Sequence, residues 1–161
     1  MFCEHNDVDL CSECAAQKGE GRVLTRHDQR ALVFHLLYAM DAFDYQVSLD
    51  SIADNLSRGF KYDLRSDSDI FKEAESIVAQ RDALDAQIKP LLDNWKFERL
   101  GVCTRLILRL AIWELTNTDI EAPVIIDEAI ELTKCFAETD AYKFVNGVLD
   151  EWVKQNRATF E

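Results

Sequence analysis

Turn-forming residues are scarce in this chain, with 5 glycines and 2 prolines spread over 161 positions. A sandwich or barrel of short strands needs turn chemistry roughly every 8 to 12 residues, which this sequence cannot supply. An all-α fold is therefore expected. The 48% hydrophobic residues can build a core, and the 30% charged residues can cover it. A chain of this length buries roughly 70% of its unfolded surface as one ordinary domain. No apolar run reaches the length of a membrane span, and Met1 to Asp9 lacks the basic, then apolar, pattern of an export signal. A cytoplasmic protein is expected.

Apolar positions recur at three- and four-residue intervals from about Val23 onward. Thr25 followed by Asp28 resembles a capping box, and Leu32, Val33, Leu36, Leu37, Met40 and Phe43 trace a first helix to about Phe43. Leu49, Ile52, Ala53 and Leu56 mark a shorter second helix stopped by Gly59. Ser66 to Ser68 can cap a long third helix with the stripe Ile70, Ala74, Ile77, Arg81, Leu84, Ile88 and Leu91, and Pro90 predicts a kink or an end near Lys89. Val102 to Leu115 is apolar almost all round and belongs in the middle of the fold. Pro123 suits the first turn of the next helix, with Asp127 and Glu128 near its positive end and Ile126, Ala129, Ile130 and Thr133 facing inward. Thr139 or Asp140 can cap a last helix built on Phe144, Val145, Val148, Leu149 and Trp152. Trp95 and Trp113 read as core, Cys103 and Cys135 as small core residues, and Gly147 as a site of close helix packing.

The 18 basic and 30 acidic side chains give a formal net charge of -12, which opposes non-specific attraction to polyanions. Any contact with a polyanion such as RNA would have to come from local positive groups. Lys96, Arg99, Arg105 and Arg109 stand against only Glu98 between Trp95 and Arg109, and Arg22, Arg26 and Arg30 form a second group.

Residues 1–22 read as a separate cysteine-rich extension, joined through Gly19-Glu20-Gly21 to a helical domain spanning 23–157. Cys3, His5, Cys11 and Cys14 supply three thiols and an imidazole, the donor set of a structural zinc site, and Cys11 and Cys14 have the usual C-x-x-C spacing. The alternative is an acidic tail with incidental cysteines. Without a secretion signal, disulfides are not the first reading of these thiols.

Four segments together resemble the NusB transcription antitermination family: Trp95-Lys-Phe-Glu-Arg-Leu100, Leu106-Ile-Leu-Arg-Leu-Ala-Ile-Trp-Glu-Leu115, Ile126-Asp-Glu-Ala-Ile-Glu-Leu132 with Lys134, and Lys143-Phe-Val-Asn-Gly-Val-Leu-Asp150. They occur in the family's order and spacing, and the resemblance covers about Arg26 to Trp152. It implies a NusB-like fold of about six to seven helices in two small helical bundles. It also implies binding of boxA RNA in nascent ribosomal RNA transcripts, jointly with the ribosomal protein NusE. Such a complex would join the transcription elongation complex and suppress premature termination, without catalysis and without a membrane.

Under that resemblance Arg22, Arg26, His27, Arg30 and Arg105 are the candidate RNA contacts. Arg26 and Arg30 share a helical face, so replacing both by Ala is expected to weaken RNA binding while leaving the fold and melting temperature almost unchanged. Arg109, inside an apolar helix, is expected to pair with Glu114 or Glu128. The chain also departs from the family. Asp28 stands between the two arginines, Glu121-Ala-Pro123 lacks a lysine usual there, Asp127 replaces a common Asn, and the cysteine-rich extension is additional. These departures bear on RNA affinity more than on the fold, and they favour an alternative, a NusB-fold protein-interaction module with weak or lost RNA binding. No Ser/His/Asp order, phosphate loop or cofactor fingerprint points to an enzyme.

Overall fold

The computed structural model describes residues 23–60 and 62–156. Among them there are seven α-helices and no strand: α1 Arg26–Ala42, α2 Leu49–Phe60, α3 Asp69–Ala79, α4 Arg81–Ile88, α5 Val102–Asn117, α6 Ala122–Phe136 and α7 Ala141–Gln155. Short 3-10 turns lie at Lys89–Leu91 and Phe97–Arg99.

The start of α1 is fixed by the expected capping box. The Thr25 hydroxyl accepts from the Asp28 N–H, and the Asp28 carboxylate accepts from the Thr25 N–H, each at 3.1 Å. After α1 the chain reverses through Asp44 and Tyr45, two consecutive left-handed residues at φ 50° and 58°. Tertiary contacts hold Tyr45 there. Its hydroxyl bridges Asp41 and Arg109, and the Arg81 guanidinium lies 3.9 Å above its ring centre. Ser68 caps α3 by accepting from the Phe71 N–H.

The stripe from Ile70 to Leu91 belongs to two helices rather than one. The helical geometry breaks at Gln80 (φ -97°, ψ 10°) without a proline or glycine, and α4 restarts at once. The break lets Leu84 and Ile88 be buried on α4, which packs against α5, while Arg81 is carried to the Tyr45 ring. Tertiary packing overrides a continuous local pattern here. Pro90 ends α4 at Ile88, as its missing N–H requires.

Helix α5 is the axis of the molecule. It touches α1, α3, α4, α6 and α7, and every residue from Leu106 to Ile112 is buried. Helices α1 to α3 pack on one side of it, and the α6–α7 pair on the other. Buried side chains from both sides form one continuous apolar core, in which each Val, Leu, Ile, Phe or Met contributes about 1.5–3 kcal/mol by its burial. Pro123 occupies the first turn of α6 as expected, whereas Asp127 and Glu128 fall beyond that turn. Asp140 stands at the start of α7 with φ 72°, but its carboxylate pairs with Lys143 instead of capping the helix.

Two small-residue expectations are corrected. Cys135 is exposed and Cys103 only half-buried, because each lies on the outer flank of its helix. Gly147 does not serve close packing, since a Cβ built there meets nothing within 4 Å. An exposed helix-interior glycine carries a backbone-entropy cost with no packing return. Gly147→Ala is therefore expected to raise stability by about 0.5–1 kcal/mol in chemical denaturation, and to raise Tm by a few degrees.

Candidate nucleic-acid interface

The first turn and a half of α1 carries Arg26, His27 and Arg30 into a cluster of carboxylates from three other helices. Arg30 is only 3% exposed. Its Nε donates to both oxygens of Glu114 of α5, at 2.9 and 3.0 Å, and its Nη1 lies 3.6 Å from Glu128 of α6. Arg30 Nη2 is buried without a hydrogen-bond partner among the described residues. Arg26, with its side chain 34% exposed, spans Glu73 of α3 and the same Glu114, and its Nη1 donates to Glu73 Oε2 at 3.0 Å. His27 is 46% exposed at its side chain, and its Nδ1 lies 2.8 Å from Glu128 Oε2.

The electrostatics follow from this geometry. Burial works against the Arg26 charge, but the hydrogen bonds and charges of Glu73 and Glu114 outweigh it and hold the guanidinium above its ordinary value. Burial pushes the Glu73 carboxyl up; Arg26 pulls it down by hydrogen bond and charge, without fully offsetting that push. The start of α1 is thus positive in sequence but neutralised in space.

Arg105 is not part of this cluster. Helices α1 and α5 run antiparallel, with Arg30 on Glu114 at one end and Arg105 3.6 Å from Asp41 at the other. Nine residues of α5 separate Arg105 from Glu114, about 13 Å of helix. Arg109 does not pair with Glu114 or Glu128. It makes a two-pronged bond to Asp85 of α4, at 2.6 and 2.8 Å, because that carboxylate sits beside it while Glu114 is already held by Arg26 and Arg30. Arg22 and the candidate zinc ligands Cys3, His5, Cys11 and Cys14 lie outside the described residues.

Trp95 is not core. It is 58% exposed and meets Phe144 of α7 edge to face at 6.2 Å between ring centres. The segment before α5 is irregular, with Asn94 at φ 62°, so it presents the indole outward instead of folding it into a helix stripe. Phe97 lies beneath Lys89 and Arg105, at 5.1 and 5.8 Å from their charged centres, and Tyr142 is flanked by Lys134 and Lys143. Lys89, Lys96 and Arg99 are exposed and make no ion pair among the described residues. This edge combines flat rings with available positive charge, the two things an unpaired nucleic-acid strand can use. Periodicity could not find it, because Trp95 and Phe97 lie between helices. The signal was the local excess of Lys96 and Arg99 around two aromatics.

Helices α1 and α6 run side by side from His27 on Glu128 to Phe34 stacked on Phe136 at 4.7 Å. His35 stands edge-on to Phe136 near that end, and burial pushes its pKa down to about 4, so it is neutral at physiological pH. The exposed Tyr38 ring completes this aromatic seam.

The family model described as the NusB family matches residues 27–154. The chain belongs to the NusB family of transcription antitermination factors. The transcription antitermination protein NusB of a Nitratiruptor species is 34% identical over 131 residues, covering 81% of this chain and 93% of that one. The Macrococcus caseolyticus protein of the same name is 30% identical, covering 81% and 98%. Among solved structures, T. maritima NusB matches with a TM-score of 0.73 at 32% identity, covering 83% of this chain and 94% of that one. A NusB solved with NusE in complex with double-stranded RNA shares the fold at 24% identity, with a TM-score of 0.65 and coverage of 82% and 99%. The all-α NusB-like fold expected from the motifs is the fold observed. No helix among the described residues is long and apolar enough to cross a membrane.

The buried pair overturns one expectation about this cluster. Arg30→Ala would leave Glu114 short of a cation in the middle of the fold, so the fold and Tm cannot stay unchanged. A loss of about 3–5 kcal/mol is expected for Arg30→Ala in urea denaturation, against roughly 1 kcal/mol or less for an exposed cation such as Lys96→Ala.

Proposed function

We propose that this protein binds single-stranded boxA RNA of ribosomal RNA transcripts together with ribosomal protein NusE, and that the assembly joins the elongation complex and suppresses premature termination. It acts by binding, with no reaction turned over. Membership of the family supports this reading, and the complex of a structural relative with NusE and double-stranded RNA supports its pairing of RNA with NusE. The observation that carries it is the edge around Trp95, where an exposed indole, half-buried Phe97 and Phe144 and the unpaired cations Lys89, Lys96 and Arg99 lie together on an otherwise acidic protein.

The RNA path we favour stacks bases on Trp95 and Phe144, with Lys89, Lys96 and Arg99 on phosphates, and reaches toward Arg26 and His27. Arg105 contributes from beside Phe97, and Arg22 from the extension. Arg30 has almost no surface to offer a ligand, so its part is to hold α1 in place. A net charge of -12 opposes a polyanion, and a basic NusE bound alongside would offset it.

Binding of a boxA oligonucleotide, measured with and without NusE, tests the reading. Weak binding alone and much tighter binding with NusE are expected. Trp95→Ala should weaken the ternary complex by about 1–3 kcal/mol, as loss of one base stack does, while leaving the melting temperature nearly unchanged. NusE binding without RNA binding in either condition would instead favour a protein-interaction module.

We also propose that Cys3, His5, Cys11 and Cys14 bind one zinc ion. The support is their ligand chemistry and the C-x-x-C spacing within twelve residues. About one equivalent of zinc is expected in protein purified without a histidine tag, and it should be lost on changing Cys11 and Cys14 to Ser. Metal-free protein at full zinc supply would reject the site.

A further inference from the structure

The carboxylates around Arg26 differ in what they would retain without it. Glu114 accepts from Arg30 Nε through both oxygens, so it keeps a cation at 2.9 Å whatever Arg26 does. Glu73 has no such reserve. It is 8% exposed, and both of its oxygens face the Arg26 guanidinium, at 3.0 and 3.4 Å. The charged groups facing this position are Arg26 and Arg30 of α1 and Glu114 of α5. Glu128 of α6 and His27 of α1 pair with each other at the far side of Arg30.

An RNA phosphate and a carboxylate use the same fork of guanidinium donors. Arg26 is the one member of this cluster that is both buried enough to be clamped and exposed enough, at 34%, to be reached from solvent. We propose that Glu73 is an internal competitor for RNA phosphate at Arg26, and that capture of a phosphate by Arg26 is accompanied by uptake of a proton at Glu73. The proposal rests on the reading that the start of α1 faces RNA.

The proton follows from the geometry. With Arg26 turned to phosphate, Glu73 is a buried carboxylate without its cation and beside the negative Glu114. Burial already pushes its carboxyl upward while Arg26 is present. Without Arg26 only the charge of Arg30 still favours the ionised form, against burial and the negative Glu114, and the carboxyl takes a proton from solvent. The complex then binds more protons than the free protein, so RNA affinity rises as pH falls, by at most about tenfold per pH unit for one proton. The contact is autoinhibitory, since each phosphate gained at Arg26 must first displace Glu73.

The test is calorimetric titration of a boxA RNA oligonucleotide into the complex with NusE near neutral pH, in buffers of different ionisation enthalpy. Repeating the titration with His27→Gln separates any proton taken up by the imidazole beside Glu128 from the proton at Glu73. Uptake of roughly one proton per complex is expected. Glu73→Gln should remove the uptake and raise RNA affinity several-fold, because an amide holds Arg26 less tightly than a carboxylate does. RNA binding that Arg26→Ala weakens, but with no proton taken up, would mean that Arg26 acts from its clamped position and would overturn the proposal. The proton count needs no change at Glu73, so it stands even if Glu73→Gln folds poorly. Absence of RNA binding altogether would remove the functional reading itself, and this proposal with it.

Discussion

The buried ion pair between Arg30 and Glu114 is the contact on which the placement of α1 depends. Glu114 lies on α5, which touches every helix except α2 closely, so a side chain that grips Glu114 takes its position from the centre of the fold. Two buried charges cost several kcal/mol each to desolvate, and their attraction offsets this only with good geometry. The geometry here is good at Arg30 Nε, which bonds both carboxylate oxygens. Removing Arg30 leaves Glu114 with the half-exposed Arg26 alone, and removing Glu114 leaves Arg30 with only Glu128 at 3.6 Å. Such a pair therefore fixes the angle and register of α1 more than it adds net stability.

From that anchor the arrangement of the surface follows. Holding α1 antiparallel to α5 sends Arg26 toward Glu73 and brings Asp41 to Arg105, so the molecule has two ends with different electrostatics. At the Arg26 end, cations are matched or outnumbered by glutamates. At the other, Lys89, Lys96 and Arg99 stand without ion pairs near the exposed Trp95 ring and the half-buried Phe97. Sequence charge counts treated the two positive groups alike. In space, Arg26 and Arg30 are consumed by glutamates, and Arg105 and Arg109 pair with Asp41 and Asp85, whereas Lys96 and Arg99 stay available.

Most of the fold was legible, because helices with a clear apolar face are specified by local spacing. The Thr25 cap, the Ser68 cap, the central α5 and the proline in the first turn of α6 stand where the residues put them. The break at Gln80 was not legible, since the apolar spacing runs straight through it and only the packing of α4 against α5 requires it. The candidate site was less legible than the fold. Arg30 and Lys96 are both basic residues in a sequence, and only the positions of Glu114 and Glu128 make one a core residue. Arg109 likewise found Asp85, 24 positions away, because the α4–α5 crossing brings them together. Trp95 is hydrophobic by composition, yet its exposure is set by an irregular segment that carries no periodic signal.

The division of labour between the ends also bears on why such a protein would work with a basic partner. Salt-sensitive attraction to RNA scales with the number of phosphates neutralised. Arg26 contributes to that number only after leaving Glu73, so the α1 end adds little to a first encounter. The Trp95 edge can engage a strand immediately, through stacking that is insensitive to base identity and through a few lysines and arginines. Non-specific capture by this edge alone is limited by the acidic remainder of the surface. A second protein that brings positive charge to the same strand would raise the local concentration of phosphate at Arg26, where the cost of displacing Glu73 can then be met. In the proposed arrangement selectivity would come from requiring both proteins to be present, with the glutamates of α3, α5 and α6 holding the α1 end in reserve until they are.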